Sequence, residues 1–167
     1  MRIETRRLII ADLSMDMAES LHLNSLDEDN RRFVPDEVFE TVEEAAETIA
    51  YLLKCYQTGE GPQVYAVTLR DGTFVGYVQA VPLGSEWEVG YHIGADYTRK
   101  GYATEALRAF LPEIMKQIGL QKMLGICLSE NAASVKVLER CGFAKQFEGV
   151  GQYQGKPRQV CRFLYTL

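Results

Sequence analysis

The 167-residue chain reads as a single domain of the α/β (α+β) class with a mixed central sheet. Three observations predict it. Strand-like and helix-like apolar periods follow one another in the order strand, two helices, three strands, helix, strand, helix, two strands. Asp71-Gly72 stands between two apolar runs and marks an antiparallel hairpin, because so tight a turn needs positive φ. A long amphipathic segment separates Glu86–Ile93 from Met123–Leu128, the crossover that a parallel strand pair requires.

The elements follow in order. Ile3 to Leu13 is rich in Leu and Ile and reads as one strand. Ser14 offers an N-cap, and Met17, Ala18 and Leu21 continue at helical spacing to about Ser25. Asp27 to Phe39 is polar, contains Pro35 and reads as an irregular connection. Thr41-Val42-Glu43-Glu44 has the form of a capping box, and Ala45, Ile49, Leu52 and Leu53 extend that helix to Gly59. Gln63–Leu69 and Thr73–Val81 are the hairpin strands. In Glu86–Ile93, Trp87, Val89, Tyr91 and Ile93 alternate with Glu86, Glu88, Gly90 and His92, so the two sets face opposite sides of a sheet. Ala103, Ala106, Leu107, Phe110, Leu111, Ile114 and Ile118 form one helical stripe, interrupted by Pro112, where a kink or an early end is expected. A short helix from about Asn131 to Arg140 and a final hairpin around Gln154-Gly155-Lys156 complete the chain.

Bulk properties exclude several function classes. The net charge of −5 lacks the basic footprint of broad nucleic-acid binding and mildly favours a cationic acceptor. No apolar run is long enough for a membrane span, and the N-terminal residues lack a secretory apolar core, so a cytoplasmic location is expected. Cys55, Cys127, Cys141 and Cys161 form no CxxC pair and have only His22 and His92 to join them, which argues for reduced thiols and no metal site. Hydrophobic residues at 47% are enough for a real core.

One stretch points to chemistry. Thr98-Arg99-Lys100-Gly101-Tyr102-Ala103-Thr104 lies between a strand and an amphipathic helix. A helix start presents unpaired N–H groups and partial positive charge, which together hold anions. Gly101 lets the backbone approach a phosphate, Ala103 keeps the start uncrowded, and Arg99 and Lys100 add charge. Taken alone, the same residues also describe a solvated basic turn before a helix.

The runs Glu88-Val89-Gly90-Tyr91-His92-Ile93, Asp96-Tyr97 and Arg99-Lys100-Gly101-Tyr102-Ala103-Thr104-Glu105-Ala106 resemble the acetyl-CoA signature of the GNAT superfamily of N-acetyltransferases. The resemblance is strongest to its RimJ/RimL-like branch, which acetylates the N-termini of ribosomal proteins. Glu4-Thr5-Arg6-Arg7-Leu8-Ile9 is similar to that branch's opening strand, and Asn131-Ala132-Ala133-Ser134-Val135-Lys136-Val137-Leu138-Glu139-Arg140-Cys141-Gly142-Phe143 to its last helix. Thr98 departs from the usual Gln or Arg at the first position of the phosphate loop.

The resemblance implies a mostly antiparallel sheet with about four flanking helices and a splayed parallel pair. It implies acetyl-CoA as cosubstrate and no metal. The pantetheine arm would pair with backbone near His92 and Ile93, the pyrophosphate would rest on Arg99, Lys100, Gly101, Tyr102, Ala103 and Thr104, and Asn131 would hydrogen-bond the arm. The acceptor would be a primary amine, on a protein N-terminus or on a polyamine, amino acid or antibiotic. A non-catalytic acetyl-CoA-binding module is the alternative outside catalysis, and the oligomeric state would be monomer or homodimer.

Direct transfer needs a base for the amine and an acid for the thiolate. Glu88 is the first base candidate, with Gly90 leaving room on the same face and a surface ion pair as its other reading; His92 is the second, with a backbone-only contact to the cofactor as its other, favoured reading. Leu138 stands where many members of the superfamily carry a Tyr acid; the RimJ/RimL-like branch has a Ser in its place, and the resemblance makes Ser134 the candidate near the leaving thiol, with a helix-start hydrogen bond as its other reading. Phe33, Phe39 and Trp87 are candidates for the acceptor side.

Overall fold

A computed structural model describes residues 1–167. Its core is one eight-stranded sheet made of β1 (Arg2–Glu4), β2 (Leu8–Asp12), β3 (Gln63–Leu69), β4 (Phe74–Leu83), β5 (Glu86–Ile93), β6 (Lys122–Leu128), β7 (Ala144–Tyr153) and β8 (Lys156–Thr166). The strand order is β1-β2-β3-β4-β5-β6-β8-β7, and every pairing is antiparallel except β5 with β6. Five helices flank the sheet: α1 (Ala18–Ser25), α2 (Glu28–Phe33), α3 (Val42–Thr58), α4 (Tyr102–Ile118) and α5 (Ala132–Arg140). The expected sheet class and the parallel pair are present.

Each face of the sheet buries its own core. On one side, Leu107, Phe110, Leu111, Ile114 and Met115 of α4 and Leu138 of α5 pack on Leu8, Ile10, Val67, Val78, Val89 and Met123. On the other, Leu21 of α1 and Ala45, Ile49 and Leu52 of α3 cover Val64, Ala66 and Tyr77. The alternation read in β5 holds: Val89 is buried in the α4 core, with Trp87, Tyr91 and Ile93 packed against it.

Four local expectations change. The N-terminal run is two strands, since Arg2, Ile3 and Glu4 pair back onto Ala11, Ile10 and Ile9. Apolar content carried no sign of the turn; Thr5 makes it, its hydroxyl accepting from Leu8 N–H at 2.9 Å. The connection after Asp27 contains α2, because Asp27 caps it by accepting from Asn30 N–H at 2.7 Å, and a 3-10 turn follows at Pro35–Glu37. The capping turn before α1 is 3-10, and Ser14 makes no cap bond there. Pro112 does not end α4, which runs on to Ile118. It lies on the exposed side of the helix, where the carbonyl freed by its missing N–H is open to solvent.

Other signals hold. Thr41 accepts from Glu44 N–H at 3.1 Å, and Gly59 closes α3 in the left-handed region. Gln154 and Gly155, at φ 51° and 73°, make the two-residue turn from β7 to β8. No helix is long and apolar enough to cross a membrane.

Candidate active site

The site begins where the sheet fails to close. β5 and β6 pair only at Glu88 with Leu124 and Val89 with Gly125. Beyond that point β5 runs on to Ile93 along β4, and β6 to Leu128 along β8, so the two strands part. Their facing backbone edges have no strand partner, and an extended arm can pair there as an added strand does. His92 and Ile93 form one border of the gap, and Leu128 ends the other.

At the mouth of the gap lies the loop into α4. Arg99 and Gly101 both take the left-handed conformation, at φ 60° and 77°. The N–H groups from Arg99 to Thr104 find no acceptor in the chain; the first bond of the helix runs from Glu105 N–H to Gly101 O, at 3.0 Å. Six unpaired donors at the positive end of a 17-residue helix form an anion cradle. The residues present therefore fit a pyrophosphate. Thr98 stays outside the cradle chemistry, its hydroxyl donating to Ala95 O at 2.9 Å.

The cradle is clamped from the N-terminal hairpin. Glu105, in the first turn of α4, accepts from Thr5 Oγ1 at 2.7 Å, Arg7 N–H at 3.0 Å and Arg7 Nε at 2.6 Å. Arg7 also donates to Lys100 O at 2.8 Å and stacks 4.6 Å from the Tyr102 ring centre. Burial raises the Glu105 carboxyl, and the Thr5 and Arg7 bonds outweigh it, so the net shift is downward. The Glu-Thr-Arg-Arg run was legible as a motif, but its partner was not, because Glu105 is a hundred residues away from Thr5. Glu105→Ala is expected to raise the KM for acetyl-CoA about tenfold with a much smaller change in kcat. A collapse of kcat at unchanged KM would show that the clamp does not act through the cradle.

The base candidate lies on the opposite sheet face. Glu88, Gly90 and His92 of β5 stand beside Val81, Gln79 and Tyr77 of β4. Gly90 does leave room, and Gln79 fills it: a Cβ at Gly90 would sit 2.6 Å from Gln79 Nε2. That amide donates to Glu37 Oε1 at 2.8 Å, and the Tyr77 hydroxyl donates to Glu37 Oε2. Burial, and then the charges of Glu37 and Asp36, push the Glu88 carboxyl from its usual 4.5 to about 7. Glu37 and Asp36 fall within a stretch that reads as a loop in sequence, and only folding carries them to β5.

His92 is committed elsewhere. Its Nε2 lies 3.0 Å from Asn24 O and 3.3 Å from Asp27 Oδ2. Burial raises Asp27, but the His92 contact and backbone donors outweigh it and hold Asp27 below its usual value. The His92 ring thus anchors the α1–α2 connection rather than standing free as a base.

On the α4 side, Asn131 Oδ1 accepts from Ser134 N–H at 3.2 Å and caps α5, leaving its amide nitrogen as a donor. Ser134 Oγ lies 2.7 Å from the Tyr91 hydroxyl, and either can be the donor; the single phenol proton goes to Ser134 Oγ or, at 3.1 Å, to Ser134 O. Burial drives the Tyr91 phenol well above its ordinary range, so it stays protonated. Sequence reasoning placed Tyr91 in the apolar set and missed this partner. Of the acceptor-side aromatics, Phe33 lines a cavity, whereas Phe39 packs in the α1–α3 core and Trp87 against the α4 core. Cys127 and Cys141 are buried and pushed up to about 11, as inert thiols are.

A gap for an extended arm beside a helix-borne anion cradle is a geometry for acyl transfer from a phosphate-bearing donor. The acetyltransferase (GNAT) domain model matches residues 7–144, and the chain belongs to that family. It is an acetyl-CoA-dependent N-acetyltransferase. The chain is 28% identical over 149 residues to the uncharacterized N-acetyltransferase YnaD of Bacillus subtilis, covering 87% of this chain and 84% of that protein. Two solved structures share the fold. A GNAT-family acetyltransferase from Bacillus anthracis aligns with a TM-score of 0.82 at 23% identity, over 99% of this chain and 98% of that one. RimL, a ribosomal L7/L12 α-N-protein acetyltransferase in complex with coenzyme A, aligns with a TM-score of 0.85 at 16% identity, over 100% and 98%.

Proposed function

We propose that the protein acetylates a primary amine by direct transfer, with a protein N-terminus as acceptor, Glu88 as base and Ser134 as the donor to the departing thiol. Acetyl-CoA supplies the acetyl group as a thioester when bound. The N–H groups of Arg99 to Thr104 hold the pyrophosphate, and the side chains of Arg99 and Lys100 add positive charge. The backbone of His92 and Ile93 and the amide of Asn131 hold the pantetheine arm in the gap.

The observation that carries this reading is Glu88 at the point where β5 and β6 part, raised to about 7. An ordinary carboxylate is too weak a base to take a proton from an ammonium group. One raised to about 7 combines a usable ionised fraction with greater basicity at neutral pH. Such tuning favours catalysis over a module that only binds acetyl-CoA. A RimL relative that modifies a ribosomal protein supports the N-terminal acceptor. Thiol release with peptides bearing a free N-terminus tests it. Release is expected with free peptides and absent with blocked ones; release with small amines alone would overturn the protein-acceptor reading.

Tyr91 orients Ser134. When the phenol donates to Ser134 Oγ, the serine proton is free to go to the departing sulfur. Tyr91→Phe and Ser134→Ala are each expected to lower kcat about tenfold, and the double variant no further, since the two act as one unit. Multiplying losses in the double variant would separate them.

A further inference from the structure

A cavity of about 450 Å³ lies between the α2 end and the β7–β8 hairpin, bounded by Arg32, Phe33, Leu128, Tyr153, Lys156 and Arg158. That size suits a small ligand or the first residues of a peptide. Its roof is fastened: the Tyr153 hydroxyl donates to Phe33 O at 2.7 Å, and the Gln154 amide to Asp36 Oδ1. The cavity adjoins the base candidate. Leu128 ends the β6 arm of the gap, and Glu88, outside the wall, is near enough to feel the charge of Asp36 and to raise the phenol of Tyr153, both of which are in it.

The wall is polarised. Asp36 supplies a carboxylate to the inner side, and Glu37 and Glu88 lie behind it, outside the lining. Arg32, Lys156 and Arg158 supply three cations to the rest, in a chain whose net charge is −5. Glu130 is shared between Arg32, at 3.1 Å, and Arg158, at 3.8 Å, and Lys156 has no ion-pair partner. Two carboxylates, Asp36 and Glu130, against three cations leave one positive charge, that of Lys156, unpaired at the outer side of the cavity, which runs against the cationic acceptor suggested by the overall charge.

We propose that this cavity is the acceptor site and that it selects an amine carrying an anionic group a few bonds away. The amine points to Glu88, and a carboxylate or phosphate lies against Lys156, Arg158 and Arg32. This rests on the reading of Glu88 as the base. Two sources present that chemistry: a peptide N-terminus followed by acidic side chains, and a free amino acid.

The test measures acetylation of short peptides that differ only in having Glu, Ala or Lys at positions two and three, alongside free glutamate and spermidine. Acidic acceptors are expected to exceed lysine-bearing ones about tenfold or more in kcat/KM, and the preference to shrink with added salt. Turnover of the acidic peptides identifies a protein N-terminus, and turnover of glutamate identifies a small acid. In the Lys156→Met, Arg158→Met double variant the acidic preference is expected to fall toward unity, through KM rather than kcat. Turnover that ignores charge, or favours lysine peptides or spermidine, overturns this inference and leaves Glu88 as base. Turnover of no amine at all overturns the acceptor-and-base reading beneath it.

Discussion

Glu88→Gln is expected to lower kcat about a hundredfold or more, with acetyl-CoA affinity nearly unchanged. The substitution keeps size and polarity but cannot take a proton, and the anion cradle lies elsewhere, at the start of α4. The pH profile carries the sharper signature. A carboxyl at about 7 is protonated below that pH and is a base above it. The wild-type kcat/KM should therefore rise with pH through about 7 and level off, and the variant should lack that limb. Stability moves the other way. The folded state raises this carboxyl from 4.5 to about 7, so it holds a proton that the unfolded chain releases between those values. Stability is lost as pH rises through that window, by about 3 kcal/mol once Glu88 is fully ionised. Gln removes that cost. Thermal melts should find the variant more stable than wild type at pH 8 and close to it near pH 4. Wild-type rates across the pH series would remove Glu88 from the mechanism.

The sheet and the loop into α4 were legible because short-range pattern determines them. Alternation in Glu86–Ile93, the stripe through Phe110 and Ile114, and Gly101 before a helix all act within a few residues. What sequence hid depends on long-range encounters. Glu37 reads as a loop residue until Tyr77 and Gln79 hold it beside Glu88. His92 reads as a second base candidate until Asn24 and Asp27 engage its ring. Tyr91 reads as a core aromatic because its alternation is correct, and only the arrival of α5 gives its hydroxyl Ser134. Net charge is blind in the same way: the total of −5 says nothing of three cations in one cavity wall. Periodicity reports which face a side chain takes, and chemistry depends on what the facing element brings.

Gly101→Asp is expected to weaken acetyl-CoA binding at least about thirtyfold, and calorimetry with the cosubstrate measures it. Two effects combine. At φ 77° any side chain is strained, and an aspartate places negative charge among the N–H groups that would meet the pyrophosphate. A Cβ there would lie 3.5 Å from Arg7 Nη2, so the new carboxylate also competes with Glu105 for the clamp. Gly101→Asn separates the two causes. Asparagine is isosteric, tolerates the left-handed region and carries no charge, so it should keep most of the affinity that aspartate loses. Folding does not explain the difference, because a negative charge at the start of α4 favours the helix. The aspartate variant should therefore melt no lower than the asparagine one while binding far less tightly. Equal affinities for the two would mean that the six free N–H groups are not where the phosphates rest.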